Sequence, residues 1–172
     1  MEIEKQYLSD TIFVHDGNRL AIRALEAIIL KKMRFHPLII HGKKGTGKSQ
    51  LLKTAVKVIH EQNKFEFSSA ESLKNYAYSE AYKIVLISAE NLTKEILEIL
   101  IFSDIKYVLI DDLQLLPKDS DIEEKLFLLN ESGYIQLIAT SNVEPRDLDI
   151  CEKLKYQLNL GMVVNIIPEI SN

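Results

Sequence analysis

Eight consecutive residues, Gly42-Lys43-Lys44-Gly45-Thr46-Gly47-Lys48-Ser49, have the types and spacing of a phosphate cradle, G-x-x-x-x-G-K-S. Glycines allow a backbone tight enough to aim several N–H groups at phosphate oxygens. A helix beginning at the end of such a loop adds free N–H groups and a partial positive charge. Lys48 has the reach for the β- and γ-phosphates, and the Ser49 hydroxyl suits Mg²⁺. The motif carries meaning only between a strand and a helix. Both flanks are present. Pro37–His41 is a short apolar run of strand type, and residues 50–59 place apolar side chains at helical spacing.

Two acids, Asp111 and Asp112, end a second apolar run that starts at Lys106. Ligand chemistry in open α/β sheets gathers at the carboxyl ends of strands. Asp111 is suited to support Mg²⁺, directly or through water. Asp112 is suited to orient or activate an attacking water. Asn142 follows a third apolar run; its amide fits either an attacking water and the γ-phosphate or an ordinary turn. The four histidines have no metal-site spacing, and Cys151, the single cysteine, excludes an internal disulfide and fits a reducing cytoplasm.

The elements that must position these residues follow from periodicity. Apolar runs at 37–41, 83–88, 106–112, 134–139 and 162–167 predict five strands. Helical spacing predicts helices at 18–33, 50–62, 92–100, 122–130 and 148–158. Strands alternating with helices imply α/β architecture, a mainly parallel sheet covered on both faces. Residues 1–12 read as an N-terminal arm and 13–172 as one domain. Residues 64–83 are ambiguous: Phe65–Phe67 alternates like a strand, and 70–82 suits helix or loop. A chain of 172 residues with 47% hydrophobic content can bury a sizeable core. Its net charge of −4 does not describe a basic nucleic-acid-binding module. The start has no signal-peptide pattern, and no apolar run approaches the roughly 20 residues of a membrane span. These features predict a cytoplasmic protein without membrane contact.

The whole pattern resembles the nucleotide-binding core of the DnaA/Hda family of AAA+ ATPases from bacterial chromosome replication. The resemblance rests on Phe13-Val14 with Asn18-Arg19-Leu20-Ala21, on 37–49, on Leu109-Ile110-Asp111-Asp112-Leu113-Gln114, on Thr140-Ser141-Asn142 and on Leu160–Val164. It spans about residues 8–168. It implies a three-layer αβα P-loop NTPase fold that binds ATP or ADP with Mg²⁺. It also implies that Val14 to Asn18 lie near the adenine, that Asp111 and Asp112 are the Walker B acids, and that Asn142 senses the γ-phosphate. Gln157 falls where the family carries the arginine that reaches a neighbour's γ-phosphate, and no arginine follows Arg146. The family's helical lid and DNA-binding domain are not expected here. The implied role is participation in, or regulation of, replication initiation through a DnaA-type ATPase partner, with at most weak or partner-dependent hydrolysis. Gln6-Tyr7-Leu8 is a poor version of the sliding-clamp motif of Hda proteins. Direct DNA binding is expected to be weak or absent. The other activity consistent with these motifs is a P-loop phosphotransferase acting on a small molecule.

Overall fold

The computed structural model describes residues 8–63, 66–68 and 82–170. The expectations for Gln6-Tyr7 and for 70–81 lie outside them. Six strands form one parallel sheet in the order β2-β3-β4-β5-β1-β6. They are β1 (Leu38–His41), β2 (Glu66–Ser68), β3 (Tyr82–Ser88), β4 (Tyr107–Asp111), β5 (Gln136–Ser141) and β6 (Met162–Asn165). The five expected strands are present, and the sixth is the short edge strand β2 from the segment that alternates in sequence. The described helices are α1 (Arg19–Ile29), α2 (Lys48–Asn63), α3 (Lys94–Phe102), α4 (Ser120–Glu131) and α5 (Glu152–Asn159).

Strand residues point alternately to the two faces of a sheet, and that alternation separates two cores. Ile39, Val85, Val108, Ile110, Leu137 and Ala139 meet α3, α4 and α5 on one face. Leu38, Ile40, Ile84, Leu109 and Ile138 meet α1 and α2 on the other. Central strands buried on both sides must therefore be apolar throughout. That is why 38–40 and 107–110 read as continuous apolar runs and not as alternating ones.

Helix ends follow local chemistry. The Thr93 hydroxyl accepts from Ile96 N–H, and the Asp119 carboxylate accepts from Asp121 N–H at 2.9 Å, so α3 and α4 start with capped amides. Helix α1 ends at Ile29, short of the expected Met33. Lys31 adopts a left-handed backbone (φ 56°), and Lys31 N–H and Lys32 N–H return to the carbonyls of Ile28 and Ala27. This closes the helix with the hydrogen bonds that a glycine usually supports. Helix α5 begins at Glu152, later than the expected 148, because Pro145–Asp147 forms its own short turn and Cys151 N–H is held by the Glu123 carboxylate at 2.8 Å. Residues 8–12, expected as an arm, pack on the domain: Leu8 is fully buried, and Ser9 N–H and Oγ–H donate to Glu26.

His36 joins the entry of β1 to its neighbours. Its Nδ1 accepts from Leu137 N–H at 3.2 Å, so Nε2 carries the proton and donates to Asn130 O at 2.6 Å. Burial holds the imidazole below its ordinary pKa of 6.5, against the opposing pull of the Asn130 carbonyl. A histidine depressed in the folded state takes up more protons when unfolded, so its contribution to stability is present above about pH 6.5 and declines below it. The urea midpoint should therefore fall as pH drops from 7.5 towards 5.5, and His36→Gln should flatten part of that dependence. His41, also depressed by burial, should retain the remainder.

Candidate nucleotide site

The loop after β1 is held from both sides. Gly42 N–H donates to Ser141 O at 3.1 Å, and Ile166 N–H donates to His41 O at 2.7 Å. A Cβ on Gly42 would lie 2.3 Å from the Ile166 carbonyl oxygen, so the close approach of β1 to the segment after β6 requires glycine there. Gly45 and Gly47 adopt φ of 84° and 87°, a region costly for other residues, and this turns the chain into α2. Residues 42–49 thus form a strand–loop–helix, the context that the phosphate motif demands.

Lys48 is the first residue of α2 and is only 5% exposed. Its ammonium donates to Gly42 O at 2.7 Å, to Lys43 O at 2.9 Å and to Thr46 Oγ1 at 3.5 Å. Burial lowers its pKa, and the charges of Asp112 and Asp111 act in the opposite direction. Thr46 Oγ–H also donates to Lys43 O at 2.9 Å, which fixes the turn.

The two acids occupy different environments. Asp111 ends β4 and accepts a hydrogen bond from the Thr140 hydroxyl of β5. Asp112 follows in a left-handed conformation (φ 57°), which Asp tolerates better than most residues. Its N–H donates to Thr140 Oγ1 at 3.0 Å, and its Oδ1 accepts from Gln114 Nε2 at 2.9 Å. Gln114 Oε1 in turn accepts from Asn142 N–H at 2.9 Å. Thr140 therefore joins both acids to the fifth strand, and Gln114 joins Asp112 to Asn142. Neither role is visible in sequence. Both residues sit within the motif stretches, but only the pairing of β4 with β5, which sets Ile110 opposite Ala139, carries Thr140 to Asp111.

A cleft of about 540 Å³ is lined by Lys44, Gly45, Gly47, Lys48, Ser49, Asp112, Gln114 and Asn142, with Gln50 and Leu115 at its edge. Seven of the sequence-predicted residues are thus gathered in one place. Gly42, Lys43 and Thr46 shape the loop from behind. Asp111, the last residue of β4, precedes Asp112 and is not among the lining residues. The side-chain amide of Asn142 has no hydrogen-bond partner among the described residues. Ser49 and Asp111 offer the hydroxyl and carboxylate oxygens that Mg²⁺ prefers, and an ion that keeps several waters and binds phosphate needs few protein ligands. Among the described residues no group of three or more His, Cys, Asp or Glu could hold a metal by itself.

Val14 lines a separate hollow of about 430 Å³ with Phe13, His15, Gly17 and Ile167. Asn18 serves the loop around it. Its Oδ1 accepts from His15 N–H at 2.9 Å, and its Nδ2 donates to Phe13 O at 2.9 Å. The hollow is tied to the phosphate loop by one strand end: Ile167 N–H donates to Gly17 O, and Ile166 N–H to His41 O. Gln157, 6% exposed, is turned into the domain, where its Nε2 donates to Phe127 O at 3.1 Å and its Oε1 has no partner.

Residues 3–165 match the family model of the bacterial DnaA ATPase domain. The chain belongs to this family. It is 29% identical to the chromosomal replication initiator protein DnaA of Streptococcus mutans over 97% of its length, and it spans 37% of that protein. It superposes on domain III of the Thermotoga maritima replication initiation protein DnaA with a TM-score of 0.73, at 22% identity, covering 97% of this chain and 69% of that one. For AMPPCP-bound DnaA from Aquifex aeolicus the values are 0.68 and 23%, covering 95% and 50%. The chain is thus a DnaA-type AAA+ domain, related to replication initiation proteins, and spans a little over a third of the length of the curated relatives it matches. Among the described residues no helix is long and apolar enough to cross a membrane.

The Thr140 crosslink gives a direct test. Thr140→Val keeps the shape but leaves Asp112 N–H without its acceptor and Asp111 without its donor. An orphaned buried donor costs about 1–3 kcal/mol. The denaturant midpoint should fall accordingly, whereas Thr140→Ser should retain most of the stability.

Proposed function

We propose that this domain binds ATP or ADP with Mg²⁺ in the cleft above Lys48. We further propose that it acts in bacterial replication initiation by docking to another replication ATPase, with nucleotide setting the state of the docking surface. The observation that carries this reading is the Lys48 ammonium. It is buried at the start of a helix, held by loop oxygens, and shares a cleft with Ser49, Asp112 and the unpartnered amide of Asn142. Phosphate oxygens would take over from the Thr46 hydroxyl and loop carbonyls as acceptors for this ammonium. The amides opening α2 would meet the same anion. Ser49 and Asp111 would hold the metal, whose contribution is to neutralise charge on the phosphates. Asp112, poised by Gln114, would orient water.

Val14 and the loop stapled by Asn18 would supply the wall for the adenine. The matched Aquifex protein is described with AMPPCP bound, which favours an adenine nucleotide over other phosphates. A regulatory role of the Hda type is supported by Gln157, which faces inward and is uncharged. An arginine reaching into a neighbour's site contributes about 10³- to 10⁵-fold in other NTPases, and a buried glutamine donates nothing of that kind. In this reading the site receives such a charge from a partner and supplies none itself. Contact with the sliding clamp and localisation in the cytoplasm are the secondary parts of this proposal.

Titration with fluorescent ATP and ADP in the presence of Mg²⁺ should give saturable binding that Lys48→Ala abolishes. Phosphate release should be negligible for the domain alone and rise when a DnaA-type ATPase is added. Binding equal in both proteins would remove the cleft as the nucleotide site. Release unaffected by the partner would remove the docking role while leaving nucleotide binding intact.

A further inference from the structure

At the opposite end of the sheet from the phosphate loop, a second hollow of about 520 Å³ opens where β4 and β5 begin. Its apolar floor includes Ile28, Tyr107 and Ile135, with the exposed Met33 and Tyr134 at its margin. Four cations, Lys31, Lys32, Arg34 and Lys106, line the same hollow, and no carboxylate does. None of the four forms an ion pair among the described residues. In a chain of net charge −4 this is a local reversal of sign.

One of the cations is held in place, and another sits at a strained backbone position. Arg34 donates from Nη2 to Gly133 O at 2.6 Å and to Ile135 O at 3.1 Å, which fixes the guanidinium beside β5 and leaves Nε and Nη1 without an acceptor among the described residues. Lys31 occupies the left-handed position that closes α1 (φ 56°), where glycine would be less strained. A lysine there keeps a charge on the rim at the expense of backbone strain.

We propose that this hollow is a docking site for an acidic peptide segment of a partner protein, one that inserts an aromatic or large aliphatic side chain between flanking carboxylates. The occupant follows from charge complementarity around an apolar pit. The carboxylates would meet the four cations, and the apolar side chain would cover Ile28, Tyr107 and Ile135. A single-stranded nucleic acid is the other polyanion to consider. It calls for a continuous basic groove with successive stacking rings, whereas here one pit carries one highly exposed ring, Tyr134, at 85%. The site shares no lining residue with the nucleotide cleft, so this inference stands apart from the proposed function.

The test is fluorescence anisotropy with the full chain and a short fluorescein-labelled peptide of aspartates and glutamates around one phenylalanine. A serine-for-phenylalanine peptide and a labelled oligo-thymidine serve as comparisons. Binding to the first peptide should be saturable, weaken as salt is raised and fall several-fold with the serine peptide. Lys31→Gly combined with Lys106→Ser should weaken it about tenfold, in line with the loss of two exposed charge contacts. The thermal midpoint should stay the same or rise, since glycine relieves the left-handed strain. Tyr134→Ser, a change at an exposed position, should weaken binding independently. No binding of the acidic peptide, or binding unchanged in both variants, would overturn the proposal. So would an oligo-thymidine that binds more tightly and displaces the peptide, because the hollow would then be a nucleic-acid surface.

Discussion

An ammonium buried to 5% exposure is costly unless its donors are satisfied and opposite charge lies near. Lys48 meets both conditions at once, and much of the site can be derived from how it does so. Its hydrogen bonds run to Gly42, Lys43 and Thr46, so the loop must curl back over its own helix. That curl needs the left-handed backbone at Gly45 and Gly47. The opposing charge comes from Asp111 and Asp112, so β4 must end within reach of the loop. Strand order follows: β5 lies between β1 and β4, and brings Thr140 and Asn142 into the same space.

Thr140 and Gln114 are the two side chains that tie this arrangement together. Thr140 is fully buried and touches both acids, one by its hydroxyl proton and the other through its oxygen. Gln114 bridges the next gap, from the Asp112 carboxylate to the backbone N–H of Asn142. A change of charge above Asp112 would be felt first at Gln114 and then at the turn after β5, where Asn142 leads into Pro145–Asp147. Arg146, in that turn, is paired with Glu144 at 2.7 Å, and both act electrostatically on His41 in β1. The hydrogen bonds thus run without a break from Asp111 through Thr140, Asp112 and Gln114 to the backbone of Asn142.

The phosphate loop and the acids were legible because their chemistry is local. Glycine spacing and a lysine at a helix start need no tertiary knowledge, and a doubly buried strand announces itself as an apolar run. Residues 38–41 and 107–111 were legible for that reason. What sequence could not give was register. Thr140 reads as one more polar residue past a strand until β5 is set beside β4. The end of α1 was misjudged because Lys31 carries no mark of the left-handed conformation it adopts, which sequence rules assign to glycine or asparagine. The short strand β2 was visible only as alternation over three residues, too few to separate from a loop. Resemblance places Asn18 near a base, and sequence gives no sign that its side chain also staples the loop containing Val14.

Gln157 completes the electrostatic picture. Sequence position alone made it a neutral substitute for a charged residue, as though only the head group had changed. Its orientation goes further. With Nε2 committed to Phe127 O and the residue enclosed between α4 and α5, restoring an arginine at this position would bury an unpaired guanidinium rather than present one. The inward turn also leaves Oε1 without a partner, a cost tolerated where the residue serves the packing of two helices. The outer side of α5 instead presents Tyr156, 70% exposed, and the partly exposed Lys155, paired with Glu152. That outer face carries no arginine, so α5 presents no guanidinium on either side.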